Sequence, residues 1–265
     1  MNVYVREMKS QAKSFILWSV GMVLFVAASI GKYAGMGTNG QTMNDLMAEM
    51  PSSLQAIMGT GTFDLSKISG YYGVLVIYLF LLGTIHAAML GANLVAKEER
   101  DKTAEFLFVK PMSRNQVIGA KLLAALTNII MFNLVTMVSC LSFVSMYGNG
   151  ESVSKDIFLT MMGMLILQLL FMAIGTAIAS LSKRPKLAAP ISTGLLLITF
   201  MLSIVIDLNE KLKWLKFVTP FKYFEAKKVM YGGGLDGMFV GVSFPLIIGL
   251  ILLTFIGFKK RDLFV

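Results

Sequence analysis

The chain carries one histidine and one cysteine in 265 residues. A lone imidazole, His86, excludes a zinc centre of several histidines, and no HExxH pattern for a membrane metalloprotease occurs. A lone thiol, Cys140, excludes a disulfide framework. Charge is scarce, at 15% of residues, and no carboxylate falls in the middle of any apolar run. That removes the paired aspartates of an intramembrane aspartyl protease and the usual proton relay of a pump. A phosphate loop is missing too. The stretch GMGTNGQT, residues 35–42, has two glycines five apart and a final threonine, but Gln41 stands where lysine is required, and a membrane helix precedes it instead of a strand. The expectation is a chain without catalytic residues, metal site or cofactor of its own.

What is abundant is apolar surface. The hydrophobic fraction is 56%, far more than a soluble domain of this length can bury. Apolar runs that match a hydrocarbon core of about 30 Å lie at residues 15–30, 71–96, 116–147, 157–181, 187–206 and 238–258. They are continuous and not alternating, so they predict six helices in an all-α membrane protein and exclude barrel strands. Residues 1–265 read as a single transmembrane domain. Arg6, Lys9, Ser10 and Lys13 fall at i, i+3, i+4 and i+7, which predicts an amphipathic interfacial helix over residues 1–13.

Orientation follows from the basic residues. With both termini cytoplasmic, the inner segments hold Arg6, Lys9, Lys13, Lys97, Arg100, Lys102, Lys110, Arg114, Lys121, Lys183, Arg184, Lys186, Lys259, Lys260 and Arg261, and only six of the 15 acidic residues. The whole excess of +9 then faces inward, in an inner cell membrane, and calls for no nucleic-acid partner. In the second run, Gly83, Ala87 and Gly91 recur every four residues, a stripe for close helix packing or a dimer seam.

The most charged stretch, residues 97–121, joins the second and third runs. Residues 97–102 continue the second helix into water, and TAEFLFVK, residues 103–110, predicts a short helix stopped by Pro111. Ser113 followed by Gln116 fits a capping box, and Met112 with Val117 fits a hydrophobic staple, so the third long helix starts sharply near Arg114. Such a segment is a rigid knob; the plainer alternative is an interfacial turn with aromatic anchors.

Glu99, Thr103, Leu107, Pro111, Ser113, Arg114 and Lys121 resemble the signature of the ABC-2-type permeases, the six-helix membrane subunits of ATP-binding-cassette exporters, although Lys102 stands where that family has glycine. AIGTAIASLSKRPKLAAP, residues 173–190, is similar to the family's tight inner turn, and FVTPFKYFEA, residues 217–226, to its aromatic segment before the last span. The resemblance implies a coupling region at 97–115, in which Glu99, Thr103, Glu105, Phe106, Leu107, Phe108, Pro111 and Arg114 dock on a separate ATPase. It also implies two ATPase copies carrying ATP and magnesium, and a second permease copy or close relative.

Two outer segments, 31–69 and 207–237, exceed simple turns. In the first, Met43, Leu46, Met47 and Met50 give a short helix a methionine-rich face. The second interleaves six lysines with aromatics; by resemblance it dips partly into the membrane, and its lysines are expected to reach outward. Within the spans, Thr84, His86, Asn128, Asn133 and Gln168 are candidates for a translocation path. Hydroxyls and amides without deep charge suit an amphipathic peptide, toxin or hydrophobic drug better than a hydrated ion. The rival reading is a non-transporting anchor, immunity or signalling protein that docks a cytoplasmic partner through the same knob.

Overall fold

Continuous apolar runs satisfy their backbone groups internally as helices. The computed structural model of the chain, which describes residues 2–36, 43–60, 63–100, 113–148 and 151–260, is helical in just this way. Its long helices are α1 (Val3–Met36), α4 (Ile68–Arg100), α5 (Arg114–Tyr147), α6 (Ser154–Leu181), α7 (Ala188–Leu208) and α9 (Gly237–Lys260). All six are long and apolar enough to cross a membrane. Short helices α2 (Met43–Ala48), α3 (Ser52–Met58) and α8 (Ala226–Tyr231) cap one end, together with 3-10 turns at Glu210–Phe217 and Pro220–Lys222. The opposite end gathers Arg6, Lys9, Lys13, Lys97, Arg114, Lys183, Lys186, Lys259 and Lys260, and is called the basic end below.

The N-terminus differs from expectation. Residues 3–36 form one unbroken helix, without a break between an interfacial helix and a span. Its 34 residues reach about 51 Å at 1.5 Å per residue, so the helix overruns the hydrocarbon core without a hinge. Glu7, which shares this turn with the expected basic face, points inward and is 1% exposed.

Helices α4 and α6 form the centre, and the reason is steric. A Cβ on Gly91 would lie 2.4 Å from the carbonyl oxygen of Met172, and one on Gly175 would lie 2.5 Å from that of Ala88. Only glycine lets these backbones meet. The small-residue stripe of α4 therefore serves a seam inside the chain. Farther along it, the Tyr72 hydroxyl and Thr160 Oγ1 meet at 2.7 Å. Helix α9 closes on α6 through Gly257 against Ser180 and through Thr176 and Thr254, 3.0 Å apart.

Helix α1 lies mainly on α5 and touches α4 sparingly. Aromatic pairs mark that contact at three heights: Trp18 with His86 (5.5 Å between centroids), Phe25 with Tyr78 (6.5 Å) and Tyr33 with Tyr71 (5.2 Å). Between them the seam is hollow. A cavity of about 250 Å3 lies toward the basic end and one of about 430 Å3 toward the far end.

The far-end cap is tied by polar side chains. Asn44 donates to Asp64 Oδ1 (2.6 Å) and accepts from the Leu65 N–H (2.9 Å), while Gln55 donates to the carbonyls of Met47 and Met50. Phe221, Tyr223 and Phe224 are buried, and Phe224 fills the space left by Gly163. Lys222 departs from the expectation that these lysines reach outward. It is buried, hydrogen-bonded to Asp207, and 3.3 Å from Glu225.

Candidate functional site

At the basic end, α5 begins with a reciprocal cap. The Gln116 N–H donates to Ser113 Oγ (3.2 Å), and the Ser113 N–H donates to Gln116 Oε1 (3.0 Å). This satisfies two donors that a helix start leaves open. The next residue, Arg114, donates from its guanidinium to the Lys259 carbonyl oxygen (3.0 Å), so the start of α5 is tied to the end of α9. Met112 of the expected staple and the expected coupling residues Thr103, Glu105, Phe106, Leu107, Phe108 and Pro111 lie in 101–112, outside the described residues. Glu99 lies in the last turn of α4, and Arg114 in the first turn of α5. The connector thus leaves one long helix and enters another whose start is fixed on two sides.

About two turns deeper sits a cluster that residue-by-residue hydropathy does not reveal. Lys121 of α5 is 0% exposed; its ammonium donates to the Leu94 carbonyl oxygen of α4 (2.6 Å) and lies 3.7 Å from Glu7 Oε1 of α1. Arg6 reaches the same carboxylate oxygen at 2.9 Å. A buried charge is tolerable only when paired and hydrogen-bonded, and here three helices share the pairing. On α1, Val3, Glu7 and Gln11 recur every four residues, so the buried carboxylate shares its face with a buried valine and a half-buried glutamine.

The candidate path residues fall into separate groups. His86 and Asn128 border the 250 Å3 cavity, with Glu7, Gln11, Trp18 and Lys97. Asn133 and Gln168 form a dry cross-brace: the Asn133 amide donates to the Met161 carbonyl (3.1 Å) and Gln168 Oε1 (3.2 Å), and Gln168 reaches the Gly83 carbonyl at 3.4 Å. Thr84 donates back to Phe80 in its own helix (2.6 Å). Most other span hydroxyls do likewise, Thr136 to Phe132 and Ser203 to Phe200 among them.

At the far end, a third cavity of about 360 Å3 has an aromatic wall of Phe63, Phe80, Phe200, Phe221 and Phe224, and a charged rim of Asp207, Lys222 and Glu225. Burial pushes the Glu225 carboxyl up, but Lys222 and Lys228, the latter at 2.7 Å, outweigh burial and hold it below the ordinary glutamate value. The Asp64 carboxyl is likewise held low, by hydrogen bonds from Ser66 and Asn44. Among the described residues no group of His, Cys, Asp and Glu could hold a metal ion.

Six apolar helices around a glycine-tight centre, with charge gathered at the ends, define a multi-pass helical membrane protein. The ABC-2 family transporter proteins match over residues 1–263, and the chain belongs to that family. Members are in general membrane subunits and not themselves catalytic, and the family implies an ATP-binding-cassette ATPase as partner and typically a dimeric arrangement. No curated protein matches the chain significantly.

Proposed function

We propose that the chain is the membrane-spanning permease subunit of an exporter that moves an amphipathic peptide, toxin or hydrophobic drug out of the cell. In this reading both termini and the basic end face the cytoplasm of an inner cell membrane. Two copies of a separate ATPase hold the ATP and magnesium, and this chain has no cofactor. A second permease copy or a related permease completes the pathway, with Thr84, His86, Asn128, Asn133 and Gln168 as its candidate lining. The observation that carries the reading is the family match along nearly the whole chain. The rigid frame of the connector supports it, because nucleotide-driven closure moves a membrane helix only through a packed element. The ties from Ser113 to Gln116 and from Arg114 to Lys259 supply that packing at the start of α5.

The test is on the connector. Phe106→Ala and Phe108→Ala each remove an aromatic group which, at the centre of an interface, contributes about 2 kcal/mol or more. Two residues apart on a helix, the rings lie about 200° apart, so one substitution is expected to weaken ATPase pull-down and the other to lower the permease melting point. Transport into inverted vesicles falls in both. If both variants bind the ATPase and transport as the wild type does, the docking role of residues 103–110 is wrong; if the unaltered chain retains no ATPase and moves no cargo, the anchor reading replaces the permease.

A further inference from the structure

The 250 Å3 cavity between α1, α4 and α5 is unusual in its unmet hydrogen-bonding capacity. Four buried side-chain polar atoms among the described residues have no hydrogen-bond partner, and three belong to residues lining this one cavity: Glu7 Oε2, His86 Nδ1 and Asn128 Oδ1. Their residues are 1%, 3% and 3% exposed. Two are oxygens that only accept, and the imidazole nitrogen accepts in one of its tautomers. Leaving such groups unsatisfied is costly, so the cavity is built for something that donates.

The cavity is also graded. From Glu7 to Trp18 it follows α1 for about 16 Å at 1.5 Å per residue. Ser10, Ser14 and Lys97 border it where side chains are exposed or half-exposed, and Phe15, Trp18 and His86 lie at its deeper end. Charge narrows the choice of ligand. Around Glu7 stand Arg6 and Lys121, and Lys97 adds a further positive charge at the rim, where it donates to Ser10.

We propose that this cavity binds the headgroup of an anionic, hydroxyl-bearing phospholipid of the leaflet at the basic end, of the phosphatidylglycerol type. Hydroxyls of the headgroup donate to Glu7 Oε2 and Asn128 Oδ1, and its phosphate stays at the rim near Lys97. A choline head offers no donor. An ethanolamine head offers three, but its positive charge is added to those of Lys97, Lys121 and Arg6. Glycerol hydroxyls donate without adding charge, and the lipid's net negative charge complements the local excess. The inference concerns a lipid site and does not rest on the cargo or direction proposed above.

The purified full-length permease, equilibrated in detergent with equal amounts of phosphatidylglycerol, phosphatidylethanolamine and phosphatidylcholine, is read by native mass spectrometry. Retention of phosphatidylglycerol is expected to exceed that of the other two by about tenfold, as one or two well-made hydrogen bonds allow. Asn128→Leu lowers it severalfold. Ser14→Phe, at an exposed position on the mouth, blocks it without altering the melting point of the lipid-free protein, which keeps the proposal testable if the Asn128 variant does not fold. Equal retention of the three lipids, preference for ethanolamine, or unchanged retention in Ser14→Phe overturns the proposal. A further arm adds soluble glycerol phosphate: failure to displace the lipid supports a membrane ligand, whereas tight binding of the soluble compound without lipid retention assigns the cavity to a free polyol phosphate and overturns the lipid assignment.

Discussion

Replacing Lys121 by methionine keeps the length of the side chain and removes its charge, taking a partner from each of two groups. The Leu94 carbonyl oxygen loses a charge-assisted hydrogen bond of 2.6 Å, worth about 1.5–3 kcal/mol. The Glu7 carboxylate, 1% exposed, loses the ammonium 3.7 Å away and retains Arg6. Breaking a buried pair from one side costs about 3–5 kcal/mol when the remaining charge is left alone, an upper bound here because Arg6 stays 2.9 Å from Glu7. For a chain of this size that is roughly 6–20 °C in melting temperature. Glu7→Gln costs less, since Lys121 keeps Leu94 and only one oxygen is exchanged for an amide. The decisive variant is the double one. Glu7→Gln with Lys121→Met removes both charges, and its cost falls short of the sum of the single costs by about 0.5–3 kcal/mol, the coupling between the sites. Thermal unfolding of the four purified proteins in one detergent measures the cycle. Lys121→Met within about 0.5 kcal/mol of wild type, or strict additivity, refutes the buried pair.

Three further outcomes follow from other parts of the molecule. Gly91→Ala drives a methyl to 2.4 Å from the Met172 carbonyl and lowers stability by about 1–3 kcal/mol, whereas Gly21→Ala, with nothing within 4 Å, does not; equal melting points disprove the α4–α6 contact. In a cysteine-free background, Ser182→Cys is labelled from the cytoplasm and Ser152→Cys from outside; the reverse pattern sinks the proposed orientation. Because the Glu225 carboxyl is held below its ordinary value, the stability it contributes is complete above the unfolded value of 4.5 and is lost as the pH falls through the folded one; Lys222→Met reduces that acid sensitivity, leaving the share due to Lys228, and an unchanged acid profile in the variant refutes the pairing with Lys222.

The six spans were legible because each is continuous, and composition alone sets the length of a membrane helix. The start of α5 was legible to the residue, since Ser113 and Gln116 are local partners. The stripe of Gly83, Ala87 and Gly91 announced a close contact, but not that the other side would be Met172 and Gly175, because the partner of a smooth face is not written on that face. Lys121 reads as one of the basic residues of the inner side, and Glu7 as one of the six acids there. Each is so in one dimension; that they neutralise one another depends on α1 lying along α5, which no local pattern states. Lys222 was misjudged for the same reason, its carboxylates standing 15 residues before it and three after.

The hollow seam between α1 and α4 has a mechanical consequence. Where α4 meets α6, backbone lies on backbone, and any sliding there must first lift glycines out of contact. Along α1 and α4 the two helices instead meet through rings at three heights, with two cavities beside them and, among the described residues, polar ties only at the basic end, through Lys97 with Ser10 and through Lys121, so small tilts toward the far end break few contacts. The bundle is therefore stiff across one seam and compliant across the other. A displacement applied at the end of α4 is passed through the stiff seam to α6, and also to α5 through Lys121 and Leu94, while α1, which touches α4 sparingly, takes up the mismatch. Whatever fills the cavity beside Trp18 sets how far α1 can tilt.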